Sequence, residues 1–324
     1  MAARERGGSQ SETIMAEQQA RAVRFDRYGG REVLYVADIP MPVPAAGEVV
    51  VAVRAASINL GEAAIRMGAL HDRFPATFPS GEGSDLAGVV SAVGPAVDAF
   101  AVGDAVLGYS WRRSSHATHT SVPVTQLIRK PPSLSWEVAG SLYVAGSTAY
   151  AAVQAVQATA GDAVAVSAAA GGVGSIAVQL LALRGAHVLA IASRRHAAWL
   201  ESHGATPVPY GDGLAERLKA AAPGGIDAFI DCFGPEYVQL AIDLGIAPQR
   251  INTIIAFAMA QEVGARTEGS MAGTSREVLS ELADLAASGA LEIPIAATFP
   301  LDRVADAFEL LEQRHTQGKI VLIP

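Results

Sequence analysis

One turn constrains this chain more than any other stretch: Ser167-Ala-Ala-Ala-Gly-Gly-Val-Gly-Ser175, set between the strand-like run Ala163-Val-Ala-Val166 and the helix-like run Ile176-Ala-Val-Gln-Leu-Leu-Ala-Leu-Arg184. A glycine-rich strand-to-helix turn brings backbone N–H groups and a helix N-terminus up to a pyrophosphate. In dinucleotide-binding form it reads Ala169-x-Gly171-x-x-Gly174, with alanine in the first glycine place. Gly171 would let the backbone approach the phosphates, and Gly174 would let the helix pack close to the strand. Ala170, Gly171, Gly172, Val173 and Gly174 are therefore expected cofactor residues. A purely structural turn would carry some of the same letters, so the flanking strand and helix are what give the motif weight.

The end of the next strand tests which dinucleotide binds. An NAD site places Asp or Glu about twenty residues on, against the ribose 2′-hydroxyl. Here the chain reads Ala192-Ser193-Arg194-Arg195-His196, without an acid. Hydroxyl and guanidinium groups suit a dianionic 2′-phosphate instead. Ser193 and Arg194 thus point to NADP(H), and Tyr210, near the following strand end, offers a further hydroxyl.

Half of the 324 residues are apolar and only 17% are charged, enough for a large core and two domains. The net charge of −8 argues against nucleic acid or an anionic membrane as the main partner. The uncharged runs from Val138 to Gly161 and Ala163 to Leu183 are long, but they are rich in Ala and Gly and read as buried strands and helices rather than membrane spans. A single cysteine, Cys232, excludes an intrachain disulfide, so the expected compartment is the reducing cytoplasm. Cys232 follows a buried run and is expected to be an inert core thiol. Residues 1–21 are polar, lack a signal-peptide core and are expected to form a disordered tail, with Met15 a possible natural start.

From Ala22 to about Val124 the pattern is one of short strands punctuated by Gly and Pro, with Val49–Arg54, Gly88–Val93 and Ala105–Gly108 the clearest. It predicts a mostly antiparallel β domain. From about Trp136 to Ser288 strands alternate with helices: Ala163–Ser167, His187–Ala192, Asp227–Phe233 and Ile251–Ala256 are the strands, each expected to be buried on both faces by its run of apolar residues, and a helix is expected near Ser275–Ser288. That alternation predicts a doubly wound parallel sheet. The tail offers a strand near Glu292–Ala297, a helix over Leu301–Arg314 and a last strand at Lys319–Ile323, expected to pack back on the first domain.

These segments together resemble the medium-chain dehydrogenase/reductase superfamily, within it the zinc-free quinone oxidoreductase-like branch. The resemblance is carried by Phe25-Asp-Arg-Tyr-Gly-Gly-Arg-Glu-Val-Leu34, Pro44-Ala-Ala-Gly-Glu-Val49, Gly83-Ser-Asp-Leu-Ala-Gly-Val-Val90, Val102-Gly-Asp-Ala-Val106, Ala145-Gly-Ser-Thr-Ala-Tyr150, the glycine turn and Gly318-Lys-Ile-Val-Leu322. It implies an α/β protein with a Rossmann NADP-binding domain over 136–289 and a GroES-like domain over 22–135 and 290–324. Homodimers are frequent in the family. Zinc relatives carry a Cys and a Gly-His-Glu; the equivalent positions here are Asn59 and Gly83-Ser84-Asp85, so no zinc site is expected. His116 and His119, if on one strand, would face opposite ways and share no ion; both are expected to be ordinary surface or cleft histidines.

Without a Lewis acid, the resemblance implies hydride transfer to an activated acceptor, a quinone or an α,β-unsaturated carbonyl. By resemblance Asn59 lies near the nicotinamide and would donate a hydrogen bond to the acceptor carbonyl, although an Asn in a turn before a helix reads the same way. Thr148 would touch the cofactor or cap a helix, Phe233 is placed with the cofactor residues, and Lys319 faces the cleft or decorates a terminal strand. The family often has Asn-Pro-x-Asp followed by a proton-donating tyrosine. Glu62 and Ala64 stand there instead, leaving solvent, Tyr109 or His116 as the alternatives. Two other readings stay open: a tailoring enoyl or keto reductase of a bacterial specialised-metabolite pathway, and a non-catalytic NADPH-binding sensor or structural protein.

Overall fold

Apolar runs with no polar face become central parallel strands, and the computed structural model, which describes residues 19–324, shows them so. Five parallel strands lie in the order Ala205–Pro209, His187–Ala192, Ala163–Val166, Ala228–Asp231, Ile251–Thr253. Successive side chains of a strand point to opposite faces. Val164 and Val166 accordingly pack with Val188, Ala190 and Ile230 under the helices Tyr143–Ala155, Gly172–Leu183 and Arg276–Ala287. Ala163, Ala165, Leu189, Ile191 and Phe229 fill the other face, under Leu218, Val238 and Ala241 of the helices Leu214–Ala221 and Pro235–Asp243. The sheet is buried on both sides, which is the doubly wound arrangement.

The second sheet is largely antiparallel. Its path runs Ile295–Pro300, Lys319–Ile323, Glu48–Ser57, Asp85–Val93, Ala105–Tyr109, Leu127–Arg129, with His119–Pro123 paired to Glu48–Ser57. The tail strand Lys319–Ile323 pairs with Glu48–Ser57 through Val321 opposite Ser57 and Leu322 opposite Ala56, so the sheet is completed by residues from both ends of the chain. A three-stranded sheet, Tyr35–Pro40, Gln19–Phe25 and Ser80–Gly81, packs nearby.

The strand expected over Asp227–Phe233 is Ala228–Asp231 and the helix expected over Leu301–Arg314 is Val304–Glu312; three further boundaries differ for reasons the contacts show. The first strand begins at Gln19, with Ala20 fully buried, so residues 19–21 are strand rather than tail; residues 1–18, which carry the rest of that expectation and Met15, lie outside the described residues. The strand after Ile251 stops at Thr253, because the Thr253 hydroxyl accepts from the N–H groups of Ile255 and Ala256 and turns the chain. The tail strand starts at Ile295 rather than near Glu292. The backbone N–H and C=O of Glu292 are both held by the Gln179 amide, at 2.8 Å each, and Pro294 follows. Among the described residues no helix is long and apolar enough to cross a membrane.

Gly174 shows what the glycine turn requires. A Cβ there would lie 2.3 Å from the carbonyl oxygen of Ala168, against rigid backbone. Alanine is normally favoured over glycine in a helix by about 1 kcal/mol. Here the sign reverses. Gly174→Ala is expected to lower stability by about 1–3 kcal/mol, read as a drop in the urea midpoint.

Candidate active site

The turn ends the strand Ala163–Val166 and opens the helix Gly172–Leu183. Its one left-handed residue is Ala168, φ +46°, so the alanine in the first glycine place, Ala169, needs no special backbone freedom. Gly171 is the helix N-cap, and no side chain bonds the first helical N–H groups. Gly171 and Gly318 form a parallel bridge that directs the Gly172 N–H toward the Gly318 carbonyl, so the donors an anion would meet are those of Val173 and Gly174. Ala170 is fastened from the tail, its carbonyl accepting from Gly318 N–H at 2.9 Å.

At the same sheet edge, Ala192 and Pro209 are paired in register, so Ser193 and Tyr210, each one residue farther on, emerge side by side. Arg194 is exposed, and no hydrogen bond or ion pair holds it among the described residues. Its neighbour differs. Arg195 bonds the carbonyl of His315 and, at 2.9 Å, His196 Nε2. The free guanidinium, the Ser193 hydroxyl and the half-exposed Tyr210 therefore share one edge. Phe233 follows the next strand. Its ring lies under Arg314, 4.0 Å from the guanidinium carbon, and its carbonyl accepts from Arg314 Nη2 at 2.6 Å. Sequence reading missed Arg314. No local signal marks it, since the contact spans 81 positions.

The third cluster is a buried polar knot. Asn59 is the N-cap of the helix Leu60–Arg66 and forms a capping box with Glu62, Glu62 Oε2 accepting from Asn59 N–H at 2.8 Å. Its side-chain amide donates to Asp85 Oδ2 at 2.9 Å and toward Glu62 Oε1 at 3.3 Å, while Oδ1 accepts from Lys319 Nζ at 2.5 Å. An amide between two carboxylates and an ammonium has only one sensible orientation, oxygen toward the cation. Asp85 also accepts from the Ser57 hydroxyl (2.6 Å) and, through Oδ1, from the N–H of Val144 at the start of the next helix (2.7 Å). Both Asn59 amide hydrogens are thus directed at carboxylates, and the free donor expected of this residue is engaged. Lys319 is buried rather than decorating a surface strand, its stem near Gly172 and its ammonium 3.3 Å from the Ile58 carbonyl and 4.0 Å from Asp85. Burial lowers its pKa, opposed by Asp85 and Glu62. Thr148 caps no terminus; its hydroxyl bonds back to the Val144 carbonyl within the helix Tyr143–Ala155.

His116 departs from expectation. It is wholly buried, in a loop rather than on a strand, with Nε2 3.0 Å from the Ser57 carbonyl and 3.9 Å from Glu62 Oε2, and it can pass because Gly83 has no Cβ. His119 opens the strand His119–Pro123. Among the described residues no group of three or more His, Cys, Asp or Glu side chains is placed to hold a metal. Cys232 is buried, and burial next to Asp231 raises its pKa, as befits an unreactive thiol.

Comparison with known proteins agrees with this architecture. Residues 45–160 match the alcohol dehydrogenase GroES-like domain, and residues 203–322 match the family described as zinc-binding dehydrogenase. The fold and motifs are those of a medium-chain dehydrogenase/reductase. Within that superfamily the chain belongs to the quinone oxidoreductase branch. It is 30% identical to a probable quinone oxidoreductase of Schizosaccharomyces pombe (93% of this chain, 96% of that one) and 29% identical to a chloroplastic quinone oxidoreductase of Triphysaria versicolor (96% and 100%). Among solved structures, the Escherichia coli quinone oxidoreductase complexed with NADPH matches with a TM-score of 0.83 at 28% identity, covering 94% of this chain and 100% of that one. The Coxiella burnetii quinone oxidoreductase matches with the same TM-score at 29% identity, covering 95% and 100%.

Beside the knot, Arg66 and Glu82 form a buried ion pair at 2.8 Å. Burial and the charge of Glu62 push the Glu82 carboxyl up to about 8, against the pull of Arg66. A carboxyl raised above its unfolded value of 4.5 takes up a proton on folding. Its contribution to stability is therefore full below that value and is lost as pH climbs through the raised one. The urea midpoint is expected to fall between about pH 5 and about pH 8 more steeply in the parent than in Glu82→Gln.

Proposed function

We propose that the chain is an NADPH-dependent, zinc-independent reductase of quinones or α,β-unsaturated carbonyls. The observation that carries this reading is the common strand edge of Ser193, Arg194 and Tyr210, where two hydroxyl residues flank an exposed arginine that has no side-chain partner among the described residues, and no acid stands at the ribose position. The residues fit the cofactor on a second count: the N–H groups of Val173 and Gly174 at a helix start with no side-chain cap suit a pyrophosphate, and the Lys319 stem lies beside Gly172.

The chemistry NADPH would supply, if bound there, is a hydride for the acceptor, with a proton from water to complete the two-electron reduction. The chain's own work is binding and charge. Ser193, Arg194 and Tyr210 would hold the 2′-phosphate; Ala170 to Gly174 and Lys319 would hold the pyrophosphate; Phe233, braced by Arg314, and Thr148 would line the cofactor. Asn59 acts as a positioning residue, because its oxygen fixes the Lys319 ammonium while Asp85 and Glu62 take its hydrogens. The E. coli relative's complex with NADPH supports the cofactor.

The test is a pair of titrations. Arg194→Ala is expected to weaken NADPH binding by ~10–150-fold, the worth of ~1.5–3 kcal/mol of charge-assisted contact, and to leave NADH affinity unchanged. Equal affinity of the parent for NADPH and NADH would overturn the cofactor assignment. Tight NADPH binding with no turnover of any quinone or enone would instead favour a sensor.

A further inference from the structure

The strand Gln19–Phe25 is stitched to the segment that leads into His119–Pro123. Ala22 bridges Ala117, the Val23 N–H donates to the His116 carbonyl at 2.8 Å, and the Thr118 N–H donates to the Arg21 carbonyl at 2.8 Å. Residues bridged in this way put their side chains on the same face. Here both side chains are single methyl groups, and a groove of about 290 Å³ lies over them, lined also by Ile39, Pro42, Ser114 and Thr120. None of its lining residues belongs to the strand edge proposed for NADPH.

Arg24 shares a strand face with Ala22 and reaches into this groove. Beside it, a Cβ on Gly81 would lie 3.5 Å from Arg24 Nη1 and 2.5 Å from the Arg113 carbonyl oxygen, so glycine keeps that wall open. The Arg24 side chain is half-buried, and no hydrogen bond or ion pair holds it among the described residues. Asp26, two positions on, is engaged elsewhere, accepting from the Tyr35 hydroxyl at 2.7 Å.

The other charges of the groove are balanced. Arg112 Nη2 donates to Glu48 Oε1 at 2.6 Å and the Ser121 hydroxyl to Oε2 at 2.8 Å, and the Arg112 guanidinium holds the Glu48 carboxyl below its usual range. Burial, helped by the charge of Arg54, lowers the pKa of His119 and leaves its ring neutral at pH 7. The Ser114 hydroxyl is shared with Thr120 Oγ1 at 2.7 Å and Ser110 Oγ at 2.9 Å. One guanidinium without a counter-charge therefore stands over a floor of methyl groups.

We propose that this groove is a second ligand site of the protein, and that it takes a small monocarboxylate with a compact apolar body. The inference is independent of the reductase reading. A planar carboxylate matches the guanidinium fork, and its single negative charge matches the single unbalanced cation. Ala22, Ile39 and Pro42 receive the hydrocarbon part, which inorganic oxyanions lack. Ligand pockets span roughly 300–1,000 Å³, so a groove at the lower end suits a body of about one ring.

The probe is benzoate, with benzyl alcohol as its neutral counterpart and inorganic phosphate as an anion without an apolar body. Calorimetric titration is run on the protein with and without NADPH. Benzoate is expected to bind one-to-one in both cases, and benzyl alcohol and phosphate about tenfold or more weakly. Arg24→Gln is expected to weaken benzoate binding about tenfold or more, and Arg24→Lys, which keeps the charge without the fork, to recover only part of it. Amide NMR shifts are expected to move at Ala22, Gly81 and Thr120 and to stay fixed at Val173 and Gly174. No saturable benzoate binding, binding that Arg24→Gln leaves unchanged, or displacement of benzoate by NADPH would overturn the site. Phosphate bound as tightly as benzoate would overturn the carboxylate assignment. Equal urea midpoints of parent and variants tie a loss of binding to the groove rather than to folding.

Discussion

The contact on which the rest of the molecule depends is the carboxylate of Asp85. It collects the Ser57 hydroxyl, the Asn59 amide and the Val144 N–H, and it faces the Lys319 ammonium at 4.0 Å. Those partners come from three segments other than its own strand Asp85–Val93: the strand Glu48–Ser57 with its following helix cap, the first turn of Tyr143–Ala155, and the tail strand. A buried carboxylate is tolerated only when hydrogen bonds and a counter-charge replace its lost water. Breaking such a set by removing one partner costs about 3–5 kcal/mol, because the remaining charges stay buried. The tail is therefore part of the N-terminal sheet for an electrostatic reason as well as an apolar one.

A second carboxylate does the same for the parallel sheet. Asp231 accepts from the Ser167 and Thr253 hydroxyls at 2.7 Å each and from the N–H groups of Phe233 and Gly234. It ties the carboxyl ends of three neighbouring strands, Ala163–Val166, Ala228–Asp231 and Ile251–Thr253, at the edge where the glycine turn begins. Ligands of open α/β sheets bind at that edge. The two knots together hold a phosphate-type turn and a buried cation in fixed relation, through Gly318 N–H on Ala170 and Lys319 against Gly172. Preorganised donors of this kind need no rearrangement to meet an anion.

The parallel strands were legible because each is a short apolar run bounded by turns, and the helix Arg276–Ala287 because Ser275 caps it in sequence and in structure. Boundaries failed where a side chain from elsewhere took over a backbone group, as Gln179 does at Glu292. The placement of Ser193 beside Tyr210 was legible, because parallel pairing brings the ends of neighbouring strands together, Ala192 opposite Pro209. The site was less legible at Asn59, whose letter announces a helix cap and does not say that Lys319, 260 positions away, will occupy its oxygen. His116 read as an ordinary surface or cleft histidine, because nothing local reveals that Gly83 clears a path for its ring into the interior.

By itself the sequence determined the doubly wound sheet, the β unit before it, the glycine turn and the cationic, acid-free strand end, since all of these follow from periodicity and turn chemistry within a few residues. Only the tertiary structure decided which polar groups are spent and which are free. Among the described residues Arg195 is tied down and Arg194 is not, Asn59 has no hydrogen left to donate, and Trp111 reaches solvent while Tyr109 and Tyr143 beside it are buried. The reason is physical. A local pattern specifies backbone geometry, whereas the availability of a donor or a ring face depends on partners brought in from distant parts of the chain.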